Sequence, residues 1–293
     1  NLLHYEQEVA YVNLIKRAEP FSTERAKLMR DCYELVSQIK KQVRLNDKHD
    51  IIKQTYGAKD IYFSLVKKIV ERILNKKNEC VYFEAGVGTG KIIKEVMALN
   101  NKLGGERIKA IGCDIFVDPV FINSDINIYE GTLYNSLMKI DDNSIDIFYW
   151  NDVMEHIPID ETHEHIKLIK QKLAVDAFVI TITPNRLRGP CDITSLFEPR
   201  GSEAKGTHFH EYTFKEVLEL YKQYNMVSAF GVWVGLIGYF TNKITISRSV
   251  HMIDKIKYFV EHFVVLLPWI LRRLLIGYTA CAISVVTPCD IKN

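Results

Sequence analysis

The sequence predicts an α/β fold: an open, mostly parallel sheet with helices packed against it, preceded by a helical extension. Two observations carry this. Short apolar runs rich in β-branched and aromatic residues recur at Cys80 to Phe83, Ile108 to Cys113, Ile126 to Tyr129, Ile145 to Trp150 and Asp176 to Ile182, with helix-like stretches among them. Between the first run and the helix-like Lys91 to Asn100 lies Glu84-Ala85-Gly86-Val87-Gly88-Thr89-Gly90, a glycine turn that brings backbone close to a ligand at a helix N-terminus.

Residues 1–55 read as an N-terminal helical extension, and 56–293 as the α/β domain with a helical insertion at about 238–276. After Ser22-Thr23, the residues Leu28, Met29, Cys32, Leu35, Val36, Ile39 and Val43 recur at steps of three and four, giving one apolar stripe. That stripe must cover the core domain, a partner copy or a bound cofactor. Tyr56-Gly57 and a helix from Asp60 to Leu74 then lead into the first strand.

Three nucleotide-type readings compete for the glycine turn. A phosphate-cradling P-loop needs glycine at 85 and Ser or Thr after Lys91, where the chain has Ala85 and Ile92. A dinucleotide-binding G-x-G-x-x-G turn puts its third glycine at 91, where Lys91 would crowd helix against strand. What remains is acidic-x-Gly-x-Gly-x-Gly after a strand. The second run ends in Asp114, 24 residues past Gly90, near the ~20 that lets a carboxylate meet a ribose diol. A turn aspartate at a strand end is the plain alternative.

Over about 56–230 the chain resembles the class I S-adenosylmethionine-dependent methyltransferases, whose first motif has this form. Further landmarks follow in order: Ile145-Asp146 stands for an "FD" pair and Asp152-Val153-Met154-Glu155-His156 for "E-V-L-E-H". Thr183-Pro184-Asn185 reads as "TPN", and His208-Phe209-His210-Glu211-Tyr212-Thr213 as "H-x-x-E-Y-T" before an amphipathic helix to Tyr224. The resemblance implies a Rossmann-like, seven-stranded sheet whose last strand is antiparallel. It implies S-adenosylmethionine (SAM) as cofactor, held by Glu84, Gly86, Gly88, Gly90 and Asp114, with Thr132 and Leu133 at the adenine and Asn151 facing the sulfonium. Members often carry an acidic residue where Thr132 stands; a hydroxyl can still accept from the adenine amine.

Methyl transfer from a sulfonium is an in-line displacement, so the protein mainly positions the acceptor and dries the site. A hydroxyl acceptor must also lose a proton, for which His156 and then His208 are candidates, with Glu155 beside them. Asp152, Glu155 and His156 share one face of a helix or turn at i, i+3 and i+4. With His208 they resemble the E-x-x-E-H plus distant His set of ubiquinone-biosynthesis O-methyltransferases and small-RNA 2′-O-methyltransferases, which implies Mg²⁺ or Mn²⁺. Helix capping by Glu155-His156 and core packing of His208 is the plain alternative. His163, His165 and His210 read as surface histidines.

The Thr-Pro-Asn loop, the excursion from Arg186 to Lys205 and the His-x-x-Glu-Tyr-Thr element resemble bacterial enzymes that decorate surface polysaccharides. A saccharide or its precursor is therefore the first expected acceptor, with a quinone ring or an RNA 2′-hydroxyl as alternatives. The non-enzyme alternative is a SAM-binding regulatory or structural module. Lys+Arg 38 against Asp+Glu 36 leaves a net charge of +2, too balanced for the footprint that DNA binding needs.

At 293 residues and 47% hydrophobic content the chain can bury one substantial core. The six cysteines include no C-x-x-C pair, and Cys80 and Cys113 fall in expected buried strands, so reduced thiols and a cytoplasmic location are expected. No signal-peptide pattern is read at Asn1, where the chain starts without methionine, as one domain of a longer protein would. From Phe259 to Val286 the sequence is strongly apolar, yet Glu261, His262, Arg272 and Arg273 interrupt it before an uncharged run reaches the ~18 residues of a spanning helix. Peripheral membrane contact through about 259–275 competes with a cover over the substrate cleft, ahead of a buried last strand from Ala280 to Val286.

Overall fold

The computed structural model describes residues 2–46, 59–117, 121, 126–233, 245–247, 256, 259–268, 271–272 and 279–286. Five strands run parallel: β1 (Cys80–Ala85), β2 (Ile108–Asp114), β3 (Asn127–Glu130), β4 (Ile145–Asn151) and β5 (Leu173–Pro184), in the order β3-β2-β1-β4-β5. Beyond them lie β6 (Met226–Trp233), β7 (Thr245–Ser247) and β8 (Thr279–Val286). β8 enters antiparallel beside β5, pairing Phe178 with Val285 and Pro184 with Thr279, and β6 and then β7 continue the sheet. The described residues thus form eight strands where seven were expected. The additional one, β7, has only three residues and falls inside the expected insertion, most of which lies outside the described residues.

Both faces of the parallel part are covered, which is why its strands read as continuous apolar runs. Every residue of β4 is buried. Side chains alternate across the sheet: Tyr82, Tyr149 and Ile180 meet α3 (Lys59–Leu74) and α4 (Lys91–Lys102) through Leu65, Ile69 and Ile93. Phe83, Phe148 and Trp150 face Ile166, Ile169, Leu220 and Tyr221 of α6 (Ile159–Lys172) and α7 (Phe214–Lys222). A short α5 (Leu133–Leu137) follows β3. Asp146, one half of the "FD"-like pair, is spent on the fold: it accepts from the Val81 N–H at 2.9 Å and pairs with Lys77, tying the start of β4 to the start of β1.

The extension forms α1 (Leu2–Arg17) and α2 (Thr23–Asn46). Cys32 of the apolar stripe is buried with Val12, Ile15 and Phe209, and Leu28 and Met29 pack against that cluster. Ile39 and Val43 keep their place on α2, but their side chains, like Tyr56-Gly57, lie outside the described residues. Polar anchors complete the docking. The Arg25 guanidinium, 2% exposed, pairs with Asp160 at 2.8 Å and Glu161 at 3.0 Å and also donates to the Ala18 carbonyl. Buried Glu8 accepts from the Thr207 N–H at 2.8 Å.

Candidate functional site

The β1–α4 turn needs its glycines for two different reasons. Gly86, Gly88 and Gly90 have φ of +69°, +55° and +75°, where a Cβ costs about 1–2 kcal/mol. At two of them packing forbids the Cβ as well: it would stand 2.3 Å from Val153 Cγ2 at Gly86 and 1.9 Å from Phe121 Cζ at Gly90. Gly88 faces open space, with nothing within 4 Å of that position. Its N–H donates to Asp114 Oδ2 at 2.7 Å, and the Phe116 N–H donates to Oδ1 at 3.2 Å. The carboxylate at the end of β2 is thereby held against the turn at the end of β1. Glu84 is buried beneath the turn and accepts from the Tyr82 hydroxyl at 3.0 Å.

The remaining cofactor candidates follow the same carboxyl edge, where ligands of open α/β sheets bind. Thr132 and Leu133 open α5 just after β3, and Thr132 is its N-cap, its hydroxyl oxygen accepting from the Asn135 N–H at 3.3 Å. Asn151 ends β4 and is buried. α2 passes above this edge: Arg30 pairs with Glu130 at 2.9 Å and lies 5.1 Å over the Phe116 ring. The Tyr33 ring meets the edge of His156, with centroids 5.5 Å apart. The tyrosine hydroxyl is held well above its usual range by burial and by the negative charges of Glu155 and Asp114.

Beyond Asn151 lies the second cluster. Glu155, His156 and His208 offer ligand atoms all within 4.8 Å of one another, the arrangement of a candidate cation site. Each member is held from outside the cluster. His156 Nδ1 donates to the Thr207 carbonyl at 2.9 Å and His208 Nδ1 to Glu211 Oε1 at 2.7 Å. Glu155 is fully buried; Oε2 accepts from the Thr183 hydroxyl at 2.9 Å, and Oε1 is buried with no hydrogen-bond partner. Burial and then the Asp152 charge push the Glu155 carboxyl up to about 8. Burial opposes the charged form of His208, but the hydrogen bond to Glu211 and the Glu155 charge prevail and raise it to about 9. Burial thus favours the neutral Glu155 carboxyl, while the Glu211 hydrogen bond favours the charged His208 imidazole.

Asp152 falls outside this cluster. It is exposed, with φ +55°, and the 3₁₀ turn that carries Glu155 and His156 begins only at Met154. The left-handed residue breaks the helical spacing that would have set Asp152 beside Glu155. A second correction concerns His165, expected on the surface. It is 4% exposed and sits under Phe21 and Tyr134, its Nδ1 donating to the Glu161 carbonyl at 2.9 Å. The covering Phe21 comes from the α1–α2 connection, which local sequence around His165 cannot reveal. His163 is exposed and His210 partly so. Glu211, Thr183, Thr207 and Tyr33 were missed as site residues; Glu211, three residues past His208, and Thr183, in the Thr-Pro-Asn landmark, had a sequence signal.

No protein-family model and no curated protein matches the sequence. Solved structures do share its fold. The plantazolicin methyltransferase BpumL, in complex with a monoazolic desmethylPZN analog and SAH, is 12% identical with a TM-score of 0.53, over 98% of this chain and 100% of that one. The Burkholderia thailandensis 1,6-didemethyltoxoflavin-N1-methyltransferase, with bound 1,6-didemethyltoxoflavin and S-adenosylhomocysteine, gives 0.50 at 12% identity, over 92% and 93%. The CurJ carbon methyltransferase gives 0.50 at 8% identity, over 98% and 69%. Identities this low speak for the fold alone: the α/β, Rossmann-like fold of SAM-dependent methyltransferases.

Proposed function

We propose that the protein is a SAM-dependent methyltransferase, acting on an oxygen of its acceptor. The observation that carries this reading is the open space over Gly88 beside the held Asp114 carboxylate, on the carboxyl edge of a sheet whose fold is that of methyltransferases. In this reading the backbone of Gly86, Gly88 and Gly90 meets the methionine part, Glu84 supports the turn and Asp114 takes the ribose diol. Thr132 and Leu133 border the adenine, and Asn151 faces the sulfonium. Residues 1–55 act as a cover for the domain of 56–293, with Tyr33 at the seam between the cofactor edge and the acceptor cluster.

The cluster is the acceptor's side of the site. His156, with Nδ1–H given to Thr207, presents Nε2 as a proton acceptor for a hydroxyl, whereas His208 is protonated near neutral pH and serves first as a positive charge beside a developing oxyanion. The donor set also fits Mg²⁺ or Mn²⁺: one carboxylate oxygen without a partner and two imidazoles whose outer nitrogens are tied down, as ligand histidines require. Glu155, His156 and His208 would hold the cation, which when bound would supply Lewis acidity toward the acceptor oxygen. A module that only bound SAM would have no use for such a cluster. For the acceptor, a saccharide or polysaccharide precursor remains the first class to test.

Calorimetry with SAM and S-adenosylhomocysteine tests the cofactor: micromolar binding is expected, and no binding of either would end the reading. Transfer of labelled methyl from SAM to nucleotide sugars and glycans, with Mn²⁺ and with chelator, then tests the acceptor class.

A further inference from the structure

The described residues of 256–272 expose six large apolar side chains, Ile256, Phe259, Phe263, Val265, Leu266 and Leu271, with Phe259 64% and Leu266 78% accessible. These are concentrated. Phe259 and Phe263 stand one helical turn apart with ring centroids 4.4 Å from each other, so they share a face. The opposite face is clamped to the domain: Val264 is buried, and buried Glu261 accepts from the Phe214 N–H at 2.9 Å and the Lys215 N–H at 3.0 Å, at the start of α7. After the helical residues 259–264, the Arg272 guanidinium donates to the Val265 and Leu267 carbonyls at 2.6 and 2.8 Å, holding the turn whose tip is Leu266. Buried polar contacts thus hold an apolar protrusion toward solvent, where a patch of this kind is costly unless something covers it.

Charge indicates what covers it. Between Ile253 and Tyr278 the ionised residues are Asp254, Lys255, Lys257, Glu261, Arg272 and Arg273. With Glu261 buried, the remaining five are four basic residues and one acidic, a positive balance read from the sequence. A second copy of the chain would set like charges against each other, and no described helix is long and apolar enough to cross a membrane. An exposed apolar surface carrying Phe259, Phe263 and Leu266, in a stretch of sequence rich in Lys and Arg, matches an interfacial element that enters the headgroup layer of an anionic bilayer. We propose that this surface docks the protein on a lipid bilayer carrying anionic headgroups. The inference stands on the exposed face and its charge, independently of the methyl-transfer reading.

The test is co-sedimentation of the full chain with vesicles of phosphatidylcholine alone or with about a third phosphatidylglycerol. Sedimentation with the anionic vesicles, declining as salt rises, is expected. The double variant Phe263→Glu, Leu266→Glu should lower the partition coefficient about 10- to 100-fold. Because both side chains already face water, its melting temperature and its binding of S-adenosylhomocysteine should match the parent's, so loss of docking and loss of the methyltransferase reading are told apart. The proposal is overturned if the parent stays in the supernatant with both vesicle types. It is equally overturned if sedimentation velocity shows a dimer that Leu266→Glu dissolves, which would give the surface to a second copy.

Discussion

An alanine at Gly88 separates the need for a ligand from the need for an unusual backbone angle. Gly88 has φ +55° and nothing within 4 Å of a Cβ position, so Gly88→Ala carries a strain cost without a clash. That cost is about 1–2 kcal/mol, a fall in melting temperature of roughly 2–8 °C for a domain of this size. Gly104→Ala is the control for strain: its φ is +102°, beyond the left-handed well, its surroundings are equally open, and it follows α4 at the opposite, amino edge of the sheet. Both variants should lose stability, Gly104→Ala at least as much as Gly88→Ala. Only at Gly88 does the new methyl group enter the space assigned to the cofactor, so its affinity for S-adenosylhomocysteine should fall at least tenfold, about 1.4 kcal/mol, while Gly104→Ala binds as the parent does. Calorimetry reads the affinity directly, and thermal shift reads it again, since at one high ligand concentration Gly88→Ala should be stabilised about 1.4 kcal/mol less than the parent and the control. Equal affinities in the two variants would refute the assignment of that space.

Two more predictions probe the extension and the cluster. Arg25→Ala leaves Glu161 buried without its ion pair, and it should destabilise the docked extension by about 3–5 kcal/mol, read as protease cleavage near residues 18–22; an unchanged cleavage pattern and melting temperature would refute the clamp. In the cluster, Glu155 near 8 and His208 near 9 must give up protons to a cation, so Mn²⁺ affinity by electron paramagnetic resonance should rise from pH 7 to pH 9 and then level. Glu155→Ala and His208→Ala should each weaken it, whereas Asp152→Ala should largely preserve it; unchanged affinity in the first two would remove the metal.

The parts of this molecule that a short window of sequence controls were legible in it. β1, β2 and β4 are buried on both faces, so their apolar runs announce them, and the glycine turn is readable because three such angles in five residues, two of them against close neighbours, strongly favour glycine. β5 starts earlier than the run suggested, at Leu173 directly after α6, because its first residues pair with Ile145 before Asp176 turns at φ +62°. Contacts between distant segments were not legible. His208 was readable as a candidate, but its holder Glu211 and the Thr207 carbonyl that orients His156 belong to a loop that only the tertiary structure brings against the 3₁₀ turn after β4. Tyr33 lay one position beside the apolar stripe of α2, and nothing in that stripe says which edge of the sheet the helix crosses.

β4 connects the two halves of the proposed site. Asn151 ends the strand at the cofactor edge, and Glu155 stands four residues further on, inside the cluster. A carboxylate oxygen left buried without a partner costs about 1–3 kcal/mol, and the local fold does not require it. Thr183 satisfies only the other oxygen, while the Glu155 carbonyl separately receives the Phe209 N–H at 2.7 Å. Two imidazoles, those of His156 and His208, stand within 4.8 Å of the Glu155 carboxylate, each with one nitrogen spent on an outside acceptor. A polar oxygen held at that cost beside two imidazoles is what the proposed site for a bound species requires. The strand that leads into Glu155 and His156 ends at Asn151, where the methyl donor is proposed to lie.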